Sequence, residues 1–445
     1  MSHTAGERRA PGPARLGGPP IPRTLQTVLS SPPFDERFFE LCTRRYGPTF
    51  RVHLFGYGRM VVTSDLDLVE RLFVSGKDQG VETWAPGGSV GRVFGSNPFL
   101  ETEGERHKEY RRRLAGPLRR LASDNSHTER LAERIEAAVD AAPVERPFGL
   151  WDMIEPILFD SVLETLGFAH AGQRARLRAA FHAYHATGFR PTLAEPSMYE
   201  LTRRGRLRRR FDDQERALTA LIADELASGR DAGIREELLS ASRRWAEETG
   251  RDPRLVGVDF IKGFVGAGSR TTAAGAVWTL LLLLHDRVML DRTRAELADG
   301  GGLLLGAARE ALRLYPPLPI APVRRLIEPI RAGSVELPGG TVLAVLATLL
   351  HRNPQIYPGP KRFWPERYDV LKPPSHAWLP FGLGLRRCLG QHWALERMVT
   401  IIEVIVRHGG IRARRPAVET RSRSLDVCVP RSGGEVVKTH TRAVG

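Results

Sequence analysis

The feature that most limits what this chain can fold into is a glycine-rich stretch of ten residues, 381–390, with the sequence FGLGLRRCLG. Glycine allows positive φ angles and lets a backbone approach a flat ligand closely. Beyond Leu389, apolar residues recur at three- and four-residue steps as far as His408, which predicts a helix. We therefore expect a loop that lies against a flat surface and delivers Cys388 to the start of that helix. The glycines that would take positive φ are Gly382, Gly384 and Gly390.

The chemistry of Cys388 depends on that position. A helix N-terminus stabilises thiolate over thiol, and a thiolate is one of the axial ligands that haem iron takes. A single cysteine is, by itself, more often a small buried apolar residue. The glycines on both sides of Cys388 favour the ligand over the core residue.

The ten residues resemble the haem-binding signature of the cytochrome P450 family, Phe-x-x-Gly-x-Arg-x-Cys-x-Gly, at every fixed position. The resemblance implies the cytochrome P450 fold, mainly α with a small β region, and haem b as the cofactor. It makes Cys388 the metal ligand. The other cofactor-binding residues that it implies in this loop are Phe381, Gly382, Arg386 and Gly390.

The 445 residues show no internal repeat and no break in composition that marks a linker. We expect a single domain over residues 26–445, behind a Pro-, Gly- and Arg-rich tail over residues 1–25. That tail lacks the apolar core of a signal peptide or membrane anchor. Three cysteines without CxxC spacing indicate neither a disulfide framework nor a zinc site. The expected location is the cytoplasm, with no membrane contact.

The net charge is +15, and arginine supplies most of the basic residues. Such a balance fits nucleic acid, an acidic protein partner or solvated helix faces. The densest basic run, 203–210, contains no aromatic ring, whereas proteins that bind single-stranded nucleic acid use stacking rings as well as charge. The sequence therefore favours a solvated face and no nucleic-acid partner.

Local patterns near the N-terminus predict a helix over Phe34–Tyr46 and a β-hairpin over residues 50–62. Residues Glu82–Leu100 lack periodicity and should form a long loop, a kind of segment that is usually functional inside a compact domain. In the resembled family this position is part of the roof of the substrate pocket. The resemblance thus implies that Trp84 and Val93 contact the substrate.

His107 and Arg111 lie four residues apart and share one helix face, where two cationic donors can hold an acidic group. An ordinary exposed basic helix explains the pair as well. The pattern is similar to the family's His-x-x-x-Arg segment, which implies that both side chains bind a haem propionate. By the same resemblance Arg324 or Arg325 binds the second propionate, and the spacing does not decide between them.

A second glycine-rich stretch, 263–268, lies inside a helix predicted over about Val256–Asp286. Its three glycines cost roughly 1 kcal/mol each relative to alanine, a cost that close packing of two helices or a flat cofactor beside the helix would offset. Residues 267–271, AGSRT, resemble the family's Ala-Gly-x-Asp/Glu-Thr motif. The resemblance implies Ala267 and Gly268 beside the cofactor, Val265 beside the substrate, and Thr271 as the catalytic hydroxyl that assists protonation of dioxygen.

Arg270 stands where the family usually has an acid, and arginine stays charged and cannot relay a proton. One interpretation directs it into the pocket to pair with a substrate carboxylate, as in the family's peroxide-using fatty-acid branch. That branch has proline where this chain keeps Thr271. Alternatively, Arg270 forms an ion pair elsewhere, and water with Thr271 delivers protons. The sequence favours the second interpretation slightly, and Arg270 stays a catalytic candidate under the first.

Glu310 and Arg313 lie one helical turn apart, a spacing that is common on helix surfaces. They resemble the family's Glu-x-x-Arg element, and Arg367 belongs to a segment that resembles its Pro-Glu-Arg meander. The resemblance implies a hydrogen-bonded charge network of these three residues behind the cysteine loop, with a structural role. A strand predicted between them contributes two further substrate contacts, Ile320 and Ala321.

The predicted activity is monooxygenation, in which O2 is used to hydroxylate or epoxidise a small organic substrate. The expected partners are a ferredoxin and its reductase, because the acidic surface of a ferredoxin suits a basic protein face. The arginine-rich composition suggests a GC-rich bacterium and its secondary metabolism. Two alternatives stay open: a peroxide-driven peroxygenase that anchors a substrate carboxylate on Arg270, and a haem-binding protein without turnover, which would not need Thr271.

Overall fold

The computed structural model describes residues 16–22, 25–26, 36–54, 58–75, 80–83, 102–188, 203–228, 233–298, 302–332, 335–419 and 427–439. Two of the predicted substrate contacts, Trp84 and Val93, lie outside these residues. A third, Ala321, lies in a strand, and its side chain is outside the described part.

Helices make up most of the described chain, and the prediction of a mainly α fold is confirmed. The helices are α1 Glu36–Tyr46, α2 Leu66–Glu70, α3 Gly104–Ala122, α4 Asn125–Ala141, α5 Leu150–Thr165, α6 Ala171–Gly188, α7 Arg203–Ala227, α8 Gly233–Thr249, α9 Pro253–Gly268, α10 Arg270–His285, α11 Arg287–Ala298, α12 Leu303–Leu314, α13 Ala347–Leu350, α14 Arg367–Val370 and α15 Gln391–His408. A π-helical turn, Arg71–Ser75, continues α2.

The β region is small, and its largest sheet packs on two hydrophobic clusters that are separate from the main helical core. The strands are β1 Thr49–Leu54, β2 Gly58–Thr63, β3 Val81–Thr83, β4 Pro147–Gly149, β5 Ile320–Leu326, β6 Ile330–Ala332, β7 Val335–Leu337, β8 Val342–Leu346, β9 Ile411–Ala413 and β10 Glu435–Lys438. The largest described sheet has the strand order β1-β2-β8-β5-β3. β1 and β2 pair antiparallel with Phe50 opposite Val62, which confirms the predicted hairpin.

Part of the predicted N-terminal tail packs on this sheet. The backbone N–H of Arg51 donates to Gly17 O over 2.9 Å, and Arg51 Nε donates to Leu16 O over 2.9 Å. Residues 16 and 17 therefore lie beside β1, where their carbonyls are satisfied by a strand residue.

α9 and α10 together form the central helix, which is interrupted at Ser269 (φ −82°, ψ −63°) and begins three residues before its predicted start. α10 is apolar on all sides and buried, as expected for a core helix. It packs against α5, α12 and α15. A Cβ on Gly275 would lie 2.7 Å from Met398 Cε on α15, so the methionine side chain would have to shift if this residue were larger.

No single helix in the described ranges is both long and apolar enough to cross a bilayer. The central helix together with α11, which turns away from it by 110°, meets the criterion of length and composition as a bent pair.

Candidate active site

The cysteine loop, residues 381–390, brings its two ends together. The backbone N–H of Cys388 donates to Phe381 O over 2.8 Å, which closes the loop. Gly390 is the N-cap of α15, and Cys388 lies two residues before this cap. The N–H of Gly390 donates to the sulfur of Cys388. The predicted place of Cys388 at a helix start is confirmed.

The glycines of the loop do different things. Gly382 and Gly384 have φ of +66° and +69°, a region that residues with a Cβ rarely adopt. Gly390 has φ of −84°, so the prediction of a positive φ there is wrong. Its backbone N–H matters instead, because it donates to Cys388 Sγ. A Cβ at this position would only make ordinary van der Waals contact with that sulfur, at 3.9 Å.

The Cys388 thiol faces an enclosed cleft. The residue is exposed, and yet burial raises the pKa of its thiol. Exposure together with a pKa raised by burial is expected for a thiol that faces a cavity walled by protein. The Gly390 amide, Arg111 and Arg387 lower the pKa without overcoming burial, so the helix start alone does not produce the predicted thiolate. A metal cation would, because a coordinating thiol is deprotonated outright.

The central helix presents a surface of small residues next to its interruption. Ala267 is exposed and Gly268 is half-buried, although most of the helix is core. A Cβ on Gly268 would meet no atom within 4 Å. Val265 is fully buried in the main core, so its predicted place beside the substrate is wrong. Residues two apart face opposite sides of a helix, and Val265 therefore turns away from the face of Ala267.

Three hydroxyls bond across the interruption of the central helix. Each donates to the carbonyl four residues back: Ser269 over 2.7 Å, Thr271 over 2.6 Å and Thr272 over 2.8 Å. Bonds of this kind bend helices. Ser269 and Thr272 are buried, whereas Thr271 is partly accessible and lies one turn beyond Ala267. The hydroxyl of Thr271 is therefore the one that can reach a ligand.

α3 is tied to the cysteine loop by the predicted propionate-binding residues. Arg111 Nη1 donates to the backbone carbonyl of Arg387, in the loop, over 2.6 Å, and His107 lies next to the backbone of Leu385. Arg386 pairs with Glu103 at the start of α3, over 2.7 Å. Burial, helped by the charges of Arg386 and Arg111, lowers the pKa of His107 to about 4. His107 is therefore neutral near pH 7 and not the predicted cation.

The strand β5 separates the two arginines that the sequence left as alternatives. Arg324 is buried, and its guanidinium lies 5.4 Å from the ring of Phe73. Arg325 points to the other face, where it pairs with Glu82 over 3.2 Å, because successive side chains on a strand alternate. Arg324 is thus the one on the inner face. Ile320, on the same strand, is buried in the small core beneath the large sheet.

The predicted charge network exists and is fully buried. Glu310 accepts from Arg313 Nε and Nη2 over 2.8 and 2.7 Å, and from Arg367 Nε over 3.0 Å. All three side chains are 0% exposed. The remaining donors of the two guanidiniums reach backbone carbonyls between residues 351 and 362. One carboxylate therefore serves two arginines.

His351 joins this network to the cysteine loop, and sequence reasoning missed it. Its Nε2 accepts from the N–H of Leu379 over 2.8 Å, so the ring proton is on Nδ1, which donates to Arg313 O over 3.1 Å. Leu379 lies two residues before the loop begins. A single histidine at the end of a short helix carries no sequence signal for this role.

Comparison with known proteins gives a family match over the part of the chain that contains these residues. The family model described as cytochrome P450 matches residues 258–409, which contain the central helix from its second turn, the charge network and the cysteine loop. The putative cytochrome P450 137 of Mycobacterium tuberculosis is 29% identical over 454 residues, which cover 96% of this chain and 93% of the relative. The putative cytochrome P450 135B1 of Mycobacterium bovis is 29% identical over 447 residues, with 97% and 94% covered.

Solved structures agree over nearly the whole chain. The retinoic acid-bound cyanobacterial CYP120A1 has a TM-score of 0.76 at 20% identity, covering 93% of this chain and 95% of that one. A six-coordinate cytochrome P450 from Thermus thermophilus has a TM-score of 0.68 at 21% identity, covering 94% and 98%. The chain contains a cytochrome P450 domain.

As a cytochrome P450, the protein is a haem-thiolate monooxygenase with haem b as its cofactor. The described residues fit that group, because Cys388 offers an accessible thiol at an enclosed cleft beside basic side chains. Cys42 and Cys428 are buried, and burial raises the pKa of Cys42 to about 11. Within the described ranges, no cluster of three or more His, Cys, Asp or Glu is placed to hold a metal ion.

Arg270, at the acid position of this cytochrome P450, lies in an ion pair with α5. Its Nη1 is 3.1 Å from Glu155 Oε1, and its guanidinium lies 5.1 Å from the ring centre of Trp151. Glu155 also accepts from His182 Nε2 over 3.0 Å. The arrangement agrees with the slightly favoured interpretation of Arg270. Sequence reasoning found no catalytic cluster between Thr128 and Phe260 and so missed Glu155, because that residue lies 115 positions before Arg270.

Proposed function

We propose that this cytochrome P450 ligates haem b through Cys388 and uses O2 to hydroxylate or epoxidise a small organic substrate. The single observation that carries the proposal is the accessible Cys388 thiol, held at an enclosed cleft by a closed loop with two positive-φ glycines. Haem b, when bound, would supply the chemistry that cleaves the O–O bond, and a thiolate ligand favours that cleavage. A cytoplasmic role in bacterial secondary metabolism fits the arginine-rich composition and the bacterial relatives.

The chain's own residues divide the remaining tasks. Arg111 and Arg386, at the junction of α3 with the cysteine loop, would hold one propionate, with neutral His107 as a further donor. Arg324, on the inner face of β5, would hold the other, and Arg325 would take no part. Charge-assisted hydrogen bonds to a carboxylate are the strong ones, so these arginines would also orient the cofactor.

Thr271 would position the proton that the reaction consumes. Its hydroxyl bonds to Ala267 O at the interruption of the central helix and lies on the accessible face. A hydroxyl is both a donor and an acceptor, so it can hold a water in line with the reacting atoms. Arg270 cannot share this role, because its guanidinium does not release a proton.

Replacing Thr271 with alanine tests this role. We expect product formation to fall by about 10²-fold, the lower end for a positioned proton donor, while electron uptake continues and peroxide is released. Product and peroxide are measured together under steady electron supply. Thr272→Ala is the matched control, since it removes the same kind of bond from a buried position. An unchanged ratio of product to peroxide in Thr271→Ala would refute the role of Thr271.

The electron donor is proposed to be a ferredoxin, served by its reductase. Next to the junction of α3 with the cysteine loop, Arg112 and Arg387 are exposed, and Arg387 bonds to the neutral Gln391 over 2.8 Å. This face is therefore positively charged close to Cys388. Complementary charge chiefly raises the rate of encounter with an acidic partner.

Charge reversal on this face tests the donor. Arg112→Glu should raise the KM for an acidic ferredoxin several-fold with little change in kcat, because steering is lost and not chemistry. The difference should shrink as salt screens the charges. Arg216→Glu, an exposed reversal on α7, serves as the control. Equal effects of the two charge reversals on KM would show that ferredoxin does not dock on the face that carries Arg112.

A further inference from the structure

Arg270 is held by a clamp of two residues on one face of α5. Trp151 and Glu155 are four residues apart, so both point from α5 towards the same neighbour. The ring of Trp151 covers the guanidinium at 5.1 Å, and Glu155 Oε1 takes its Nη1 at 3.1 Å. The side chain of Arg270 is 20% exposed. Face and edge of the guanidinium are thus both engaged from α5.

The carboxylate of this clamp is buried and shared. Glu155 is 3% exposed, and its Oε1 accepts from Arg270 and from His182 Nε2, on α6. His182 packs edge-on against Phe159, one turn further along α5, at 5.2 Å. Burial, with a smaller effect of Arg270, lowers the pKa of the neighbouring His185 to about 3, so that ring stays neutral. The arrangement leaves Glu155 as the buried carboxylate that balances the charge of Arg270.

The strength of the clamp decides what Arg270 can bind. A carboxylate that already holds a guanidinium competes with any second carboxylate for the same donors. Removing the charge of Glu155 would weaken the hold on a partly buried cation, and such a cation attracts an anion that can reach it. Arg270 precedes Thr271 directly, on the central helix, which the proposed function places at the cleft.

We propose that Glu155 is a specificity-determining residue: by clamping Arg270 against Trp151, it keeps the cleft selective for neutral substrates over carboxylates. The inference rests on the proposed function, since it takes the cleft beside Cys388 and Thr271 as the substrate site. Glu155 acts through Arg270 and is a positioning residue, with no contact to the reacting atoms required.

Optical titration of the ferric protein tests the proposal without turnover. Octanoic acid and octanamide are titrated separately against the wild type, Glu155→Gln, Arg270→Gln and the double variant, and the Soret band is followed. Imidazole, a neutral ligand of haem iron, is titrated in parallel. Thermal unfolding of each variant shows that it is folded.

For the wild type we expect the amide to bind more tightly than the acid. Glu155→Gln should lower the ratio of the acid's dissociation constant to the amide's by about tenfold, which corresponds to one charge-assisted hydrogen bond. The double variant should return to the wild-type ratio. Arg270→Gln alone should leave the ratio unchanged. Arg270→Gln can still contradict the proposal even if Glu155→Gln does not fold.

Two results would overturn the inference: a loss of acid binding in Arg270→Gln, which would mean that Arg270 already serves the cleft, or an unchanged ratio in Glu155→Gln. Failure of the proposed function looks different. In that case imidazole would leave the Soret band of the wild type unshifted, or no such band would form.

Discussion

Replacing Cys388 with alanine is expected to abolish monooxygenase turnover while leaving the protein folded. The thiol is accessible and faces a cleft, so its loss removes little packing, and the free energy of unfolding should change by no more than about 0.5 kcal/mol. The loss of the thiolate removes the electron donation that favours O–O cleavage. Turnover should fall below detection, and the haem-thiolate absorption signature should be absent.

Cys428→Ala is the matched control, because it deletes a thiol from the buried core. It should lower stability slightly and keep the absorption signature and turnover. If Cys388→Ala retained the thiolate signature, another cysteine would be the ligand and the account of the cleft would be wrong. Absorption of the carbon monoxide complex and urea unfolding of both variants provide the comparison.

Replacing Glu310 with glutamine should destabilise the fold by about 3–5 kcal/mol, the usual cost of breaking a buried ion pair from one side. The side chain keeps its size, so packing is preserved. Two fully buried guanidiniums, those of Arg313 and Arg367, would lose their shared carboxylate. A typical domain has a total stability of about 5–15 kcal/mol, so the variant should unfold at much lower urea and release haem readily.

Glu403→Gln gives the control for charge alone. Glu403 pairs with Arg407 over 2.8 Å on the exposed side of α15, and surface pairs of this kind contribute about 0.3–0.5 kcal/mol. Urea unfolding with matched buffers compares the two variants. Similar midpoints would show that the buried network contributes no more than a surface pair.

Much of the site could be predicted because its signals are local. The glycines of the cysteine loop, the small residues of the central helix and the pair on α3 are each contained within a few residues of sequence. Their place on a helix or loop follows from periodicity and from glycine's backbone freedom. The prediction about Gly390 failed within the same stretch, because its role depends on the sulfur beside it and not on its own φ.

The questions that the sequence left open depend on residues that are distant in the chain. Arg324 and Arg325 are equivalent until a sheet fixes which face is buried. The partner of Arg270 is 115 residues away, and no local pattern connects the two. The pKa of Cys388 is likewise set by burial from several elements, which outweighs the helix start that sequence reasoning used.

The buried network also has an evolutionary consequence. Apart from Glu310, the hydrogen-bond acceptors for Arg313 and Arg367 are carbonyl oxygens of the main chain, contributed by His351, Pro358, Gly359, Pro360 and Arg362. Every amino acid carries such an oxygen, so these bonds place no demand on the side chains of residues such as Pro360 and Arg362. The side chains that do matter are few: the imidazole of His351 and the rings of Tyr357 and Trp364, which lie 5.0 Å from the guanidiniums of Arg313 and Arg367. A scaffold held in this way leaves only sparse marks in a sequence.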